Sequence, residues 1–279
     1  MFGGGVARSP ATRRGTPGEG TRTLSTTGKI ARLCRYPVKG LSADPLERVT
    51  LEAGRQIPHD RRFAIARPTT EIDTAEPAWM KKTHFHSLMR DERLAQLEAH
   101  YDPETTRLSL HRKGRQVTQA VLSDPMGRMM LGQFFAAFLS EEAGGTPKVV
   151  DAGDRVLSDQ PDPVLSIINL ASLRDLERVT GRTVDPRRFR ANLYLEGLSP
   201  WVEREWPGKR LTAGGVTLAV SEEIDRCAAT EVNPETGERD MKVVTALQRG
   251  FAHINCGVFA TVETGGEIAV GDTVTVAGG

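Results

Sequence analysis

Phe189-Arg190-Ala191-Asn192-Leu193-Tyr194-Leu195-Glu196 alternates apolar and polar side chains, the period of a strand with one covered face. Phe189, Ala191, Leu193 and Leu195 fall on one side, which leaves Arg190 and Asn192 together on the other. A cation and an amide that share a face must reach water or a bonding partner. Working outward, residues 215–220 and 257–262 alternate in the same way. Thr264-Gly265-Gly266 then supplies a hairpin signal before a last alternating run at 268–276. Short strands at this spacing predict a closed barrel or a sandwich.

Upstream, apolar segments at 30–36, 48–51, 62–66 and 107–110 read as strands. Helical spacing occurs at 127–139 and at 169–179, with Gly181 as the stop signal. The expected class is mainly β with a few helices (α+β). The change in pattern between 120 and 160 divides the chain into 29–125 and 126–279. Residues 1–28 are rich in Gly, Arg, Ser, Thr and Pro without apolar periodicity and read as a disordered arm. The same composition suits an over-long start or a transit peptide, although Gly and Pro oppose the amphipathic helix of the latter.

Lys plus Arg number 37 against 36 Asp plus Glu, so no basic stripe of the nucleic-acid kind dominates. Three cysteines, Cys34, Cys227 and Cys256, are too sparse for a disulfide framework and point to a reducing, cytoplasmic setting. No apolar run has the length of a membrane span, and the start lacks a secretory signal.

The chemistry concentrates on Cys227, which follows Val220-Ser-Glu-Glu-Ile-Asp-Arg226 just past an expected strand end. Arg226 beside it favours the thiolate, which suits a soft or high-valent transition metal. The alternative on the residues alone is a partly buried cysteine that only packs. No second cysteine lies within four residues, which excludes a paired-cysteine zinc site. Cations recur where the chain turns: Lys39 after Tyr36-Pro-Val, Arg61 after Asp60, and Arg190 in the opening stretch. Converging with the helix start near Asn169, they would make an anion cradle. His84 and His86 could share a strand face but lack a third ligand at metal spacing. His253 is the one downstream base candidate, and nothing in the sequence brings it to Cys227.

In order along the chain, Tyr36-Pro-Val-Lys-Gly-Leu-Ser42, Asp60-Arg-Arg-Phe63, Phe189-Arg-Ala-Asn192, Arg226-Cys227, Asn233-Pro-Glu-Thr-Gly237 and Val270-Gly-Asp272 resemble the MOSC proteins with an N-terminal companion domain. That group includes the mitochondrial amidoxime-reducing component and bacterial relatives. The resemblance spans about residues 29–276. It implies a MOSC-type β-barrel preceded by a smaller, β-barrel-like N-terminal domain, and a molybdenum cofactor, a pyranopterin dithiolene with a terminal phosphate.

By the same resemblance Cys227 ligates molybdenum, and Lys39, Gly40, Arg61, Arg190 and Asn192 contact the cofactor. Ala191 stands where the family has proline. Asp225 and Arg226 flank the metal, with Asp225, at a position where relatives often carry a small polar residue, as a proton donor. Phe259 lines the site where relatives often have tyrosine. Asn169 and Ser172 align loosely with a polar helix start that meets the pterin. The implied activity is reduction of hydroxylamines, amidoximes or N-hydroxylated bases. Without a cysteine-rich iron–sulfur tail, electrons would come from a separate ferredoxin or a flavin or cytochrome reductase. Pyridoxal phosphate and nucleic acid are not expected. The rival reading is a carrier of molybdenum cofactor or sulfur on Cys227.

Overall fold

The computed structural model describes residues 1–3, 27–74 and 76–277. Most of the expected arm, residues 4–26, lies outside them, and its last two residues, Thr27 and Gly28, already belong to a strand. In chain order the strands are β1 (Thr27–Arg35), β2 (Asp44–Leu46), β3 (Arg48–Leu51), β4 (Phe63–Ala66), β5 (Glu98–Asp102), β6 (Arg107–Arg112), β7 (Arg115–Val121), β8 (Lys148–Asp151), β9 (Leu165–Asn169), β10 (Leu193–Glu196), β11 (Arg210–Ala213), β12 (Val216–Asp225), β13 (Asn255–Thr264), β14 (Gly266–Ala269) and β15 (Thr273–Val276). The helices are α1 (Pro125–Leu139), α2 (Leu170–Thr180) and α3 (Val243–Phe251). The class is mainly β, as the patterning predicts.

Seven strands close a barrel in the order β10, β9, β13, β12, β11, β15, β1, with β1 returning to pair with β10. Closure removes the open edges that would otherwise recruit another chain. Ile30, Leu193, Val258, Leu218 and Trp206 fill the interior, each worth roughly 1.5–3 kcal/mol of burial. One pair, β9 with β10, is parallel, and its crossover is α2. Asn169 starts that helix by accepting from the Ala171 N–H at 3.0 Å. Gly181 stops it in the left-handed region at φ 66°, as expected. The β12–β13 ladder slips at Val220/Glu222 and again at Glu223/Asp225. Such bulges bend a strand end and re-aim its side chains.

Two sequence expectations change here. The alternating stretch at 189–196 is a strand only from Leu193. Pro186–Phe189 is a 3-10 turn whose start Asp185 caps, accepting from the Arg187 N–H at 2.8 Å, and Arg190 sits at φ 53°. Arg190 and Asn192 therefore do not share a pleated face. Nor is the N-terminal region a barrel: it combines a β5–β6–β7 meander, the β4–β8 pair and α1.

The expected division at 125/126 does not follow the hydrophobic cores. Leu131, Phe135 and Leu139 of α1 and Val149 of β8 pack with Phe63, Leu108 and Leu110. Ile30 and Leu33 of β1 lie in the barrel core. The physical reason is hydrogen bonding: β4 pairs as a strand with β8, and β1 supplies the seventh strand that closes the barrel. Among the described residues, no helix is long and apolar enough to cross a membrane.

Candidate functional site

A cleft opens where the barrel rim meets the N-terminal unit. Six cationic side chains (Lys39, Arg61, Lys82, Arg188, Arg190 and Arg226) line it with three carboxylates (Asp60, Asp159 and Asp225). Cys227, Gly40, Asn192 and Phe259 complete the expected set within the same lining. Of the residues the resemblance assigns to the site, only Asn169 and Ser172 are elsewhere. They lie under the loop at Trp201, where Asn169 Nδ2 and Ser172 Oγ donate to the buried Glu203 carboxylate at 2.9 and 2.6 Å. The N-terminus of α2 is thus occupied by the protein's own side chains, and the expected meeting with a pterin loses its geometric support.

Cys227 is half-buried, and its carbonyl accepts from Thr230 N and Oγ1 at 3.1 and 2.9 Å. Arg226 fixes the segment that carries it. Its N–H donates to Ile254 O at 3.0 Å, its Nε to Cys256 O at 2.7 Å and its Nη1 to Phe189 O at 3.2 Å; Nη2 also reaches Cys256 O. Gly257 makes room for this at φ 83°, since a Cβ there would stand 2.4 Å from Ile167 O and 3.1 Å from Arg226 Nη2. Burial pulls the Arg226 pKa down. The other two thiols are interior: burial pushes Cys34 up to about 11 and Cys256 up to about 12.

Asn192 is a hub. Its Oδ1 accepts from Ser166 N, Ser166 Oγ and Arg61 Nη1 at 3.0, 2.9 and 3.2 Å, and its Nδ2 donates to Cys34 O at 3.1 Å. Arg61, at φ 47°, donates also to Asp60 Oδ2 (2.5 Å) and Arg190 O (2.8 Å). The guanidiniums of Arg61 and Arg190 each lie 4.4 Å from the Tyr36 ring centroid. An aromatic face attracts both like-charged groups and holds them near each other.

Lys39 is 6% exposed. Its ammonium donates to Leu157 O at 2.9 Å and to Asp159 Oδ1 at 2.6 Å. Burial pulls its pKa down, with Asp159 opposing. For Asp159 burial would raise the pKa, but the Lys39 charge outweighs it and holds the carboxyl below its ordinary value. Sequence reasoning missed Asp159, Lys82, Asp60 and Arg188. Asp60 and Arg188 carried a signal, as near neighbours of Arg61 and Arg190 in the cationic runs where the chain turns. His253 packs against Trp201 and Phe251, outside the cleft. His84 ends a 3-10 turn, and His86 pairs with Asp91 at 2.9 Å, so the two share no strand face.

Residues 147–275 match the family model described as MOSC domain. Over 256 residues the chain is 25% identical to molybdenum cofactor sulfurase of Drosophila yakuba, covering 79% of this chain and 30% of that protein. It is 28% identical over 137 residues to mitochondrial amidoxime-reducing component 1 of Mus musculus, covering 45% of this chain and 39% of that protein. The chain therefore spans well under half the length of these curated relatives. Among solved structures, the YuaD protein of Bacillus subtilis aligns with a TM-score of 0.43 and 13% identity, covering 90% of this chain and 95% of that one.

Proposed function

We propose that this chain, a MOSC-domain protein through residues 147–275, binds a molybdenum cofactor through Cys227 and reduces N-hydroxylated compounds. The observation that carries the proposal is a single half-buried thiol opening onto a cleft whose cations outnumber its carboxylates six to three. The residues fit the group. An anionic dithiolene and a phosphate need donors and positive charge, and the Nε of Arg188 is buried at the cleft wall without a partner. No three His, Cys, Asp or Glu side chains converge as a metal cage among the described residues, so Cys227 would be the protein's one ligand.

When bound, the group would supply the two electrons that, with two protons, cleave an N–O bond and release water. The chain's own contribution is positional. Lys39, Arg61 and Arg190 would hold the pterin and its phosphate, and Arg226 keeps the Cys227 backbone in place. Asp225, exposed at the rim, is positioned to move a proton between solvent and substrate oxygen. Phe259 offers an apolar wall where a tyrosine would bring a hydroxyl. A separate electron donor, a ferredoxin or a flavin or cytochrome reductase, completes the reaction. Relatives named for amidoxime reduction support this substrate class.

The test pairs metal analysis with anaerobic reduction of benzamidoxime by a chemical donor. The native chain should carry molybdenum and turn over, while Cys227→Ser should lose most of the metal. Molybdenum retained in full by Cys227→Ser would overturn the assignment. The matches to molybdenum cofactor sulfurases favour a second reading, a carrier of cofactor or sulfur on Cys227. Release of cofactor to an apo-enzyme, without reductase turnover, would select it.

A further inference from the structure

Between β8 and β9 the chain runs from 152 to 164 without a helix or strand. Its first half is anchored, with Leu157 fully buried beside Phe85 and Val150 and Arg155 bonded to the Glu76 and Pro77 carbonyls, while its second half, 158–163, borders the cleft as a strap with few tethers. On one side Leu157 N–H donates to Arg61 O at 3.2 Å and Trp79 Nε1 to Ser158 O at 3.2 Å. On the other, Gln160 Nε2 donates to Glu222 Oε1 of β12 at 2.9 Å. The strongest tether is Asp159, whose Oδ1 takes the Lys39 ammonium at 2.6 Å.

The two ends of that ion pair differ. The Lys39 side chain is 7% exposed and the Asp159 side chain 52%. A buried ammonium requires a counter-charge, whereas a half-exposed carboxylate exchanges readily with water. Lys82 Nζ stands 3.9 Å from the other oxygen of Asp159, too far for a hydrogen bond. One carboxylate thus answers two ammoniums and reaches only one of them. A tetrahedral dianion has more oxygens and more charge, and it could satisfy both.

We infer that Asp159 is a built-in anion occupying a subsite formed by Lys39 and Lys82, and that a phosphate group entering the cleft displaces it and frees the strap. This rests on the cleft being an anion site, as proposed above, and adds Lys82 as a ligand-holding residue and 158–163 as a gate. The carboxylate keeps Lys39 charged and aimed while no ligand is present. Its departure leaves the cationic excess to the incoming phosphate, so binding and opening are one event.

The test uses the full chain with inorganic phosphate and with glycerol 3-phosphate, which separate a free anion from a phosphate ester. Binding is measured by calorimetry, and opening by cleavage before Asp162, inside the strap, with an aspartate-directed endoproteinase. Asp159→Asn keeps the side chain's shape and leaves Leu157 O on Lys39. It should bind phosphate about tenfold tighter than the native chain, the scale of one modest ion pair. Lys82→Ala in that background should reverse the gain. Phosphate should also speed cleavage at Asp162 in the native chain. A gain with only one of the two ligands assigns the subsite to that source. Equal or weaker binding by Asp159→Asn, or cleavage unchanged at saturating ligand, overturns the gate. If phosphate binding persists there and vanishes in Lys39→Ala, the anion-site reading stands without the gate. If no variant binds through Lys39, both readings fall.

Discussion

The two sides of the cleft carry similar charges and hold them in opposite ways. On the barrel side, Asn192 and Arg226 bond to backbone atoms of segments far apart in sequence. On the strap side, Lys39 hangs on one carbonyl and one exposed carboxylate. A cation tied to the backbone is part of the scaffold, and removing it leaves carbonyls unpaired. A cation tied to a mobile-prone counter-ion is available to a ligand. Charge alone does not distinguish the two; the identity of the acceptor does.

The comparison breaks most sharply at Asn192. Asn192→Ala strips acceptors from Ser166 and Arg61 and a donor from Cys34 O, and should cost about 3 kcal/mol of stability, measured by urea unfolding. A loss no larger than that of Lys82→Ala would mean that the barrel side is not the scaffold. The thiols give a second contrast. A raised pKa suppresses the reactive thiolate at any pH below it. With Cys34 moved from 9.0 to about 11, its thiolate population near pH 7 is about a hundredfold lower than that of an unshifted thiol. Cys256, near 12, falls further. A disulfide reagent at pH 8 should therefore label Cys227 first, with the other two reacting only on unfolding; equal labelling of all three would erase the distinction.

Tyr36 sharpens it at smaller scale. Tyr36→Phe keeps the ring between Arg61 and Arg190 and loses only the hydroxyl's bonds to Ala191 O and the Tyr194 hydroxyl, a cost of about 1 kcal/mol. Tyr36→Leu removes the face itself and should cost about 1 kcal/mol more, with weaker anion binding. Equal losses in the two variants would show that the ring holds neither guanidinium.

Much of the site was legible because its residues sit beside strong local signals. Lys39 follows Tyr36-Pro-Val, Arg61 follows Asp60, and Cys227 ends a long alternating strand. The structure brings these to one cleft with Gly40, Arg190, Asn192, Asp225, Arg226 and Phe259. Asp159 and Lys82 carried no such mark, because a lone charge in an irregular segment looks the same whether it faces water or a buried ammonium. Asn169 and Ser172 misled for the complementary reason. A polar helix start suits an anion, but Glu203, thirty residues on, had already taken it. The strand expected at 189–196 shortened because alternation is blind to Pro186, whose fixed φ suits the first position of a turn.

The amino-acid order by itself determined the β-rich class, the helix stops and the neighbours of Cys227, since these depend on side-chain period and on contacts a few residues apart. Tertiary structure alone decided that β1 closes the barrel, that β8 crosses to β4, and which carboxylate answers Lys39. Those choices turn on pairing between segments far apart in the chain, where the free energy of closing a barrel or neutralising a buried charge outweighs anything local.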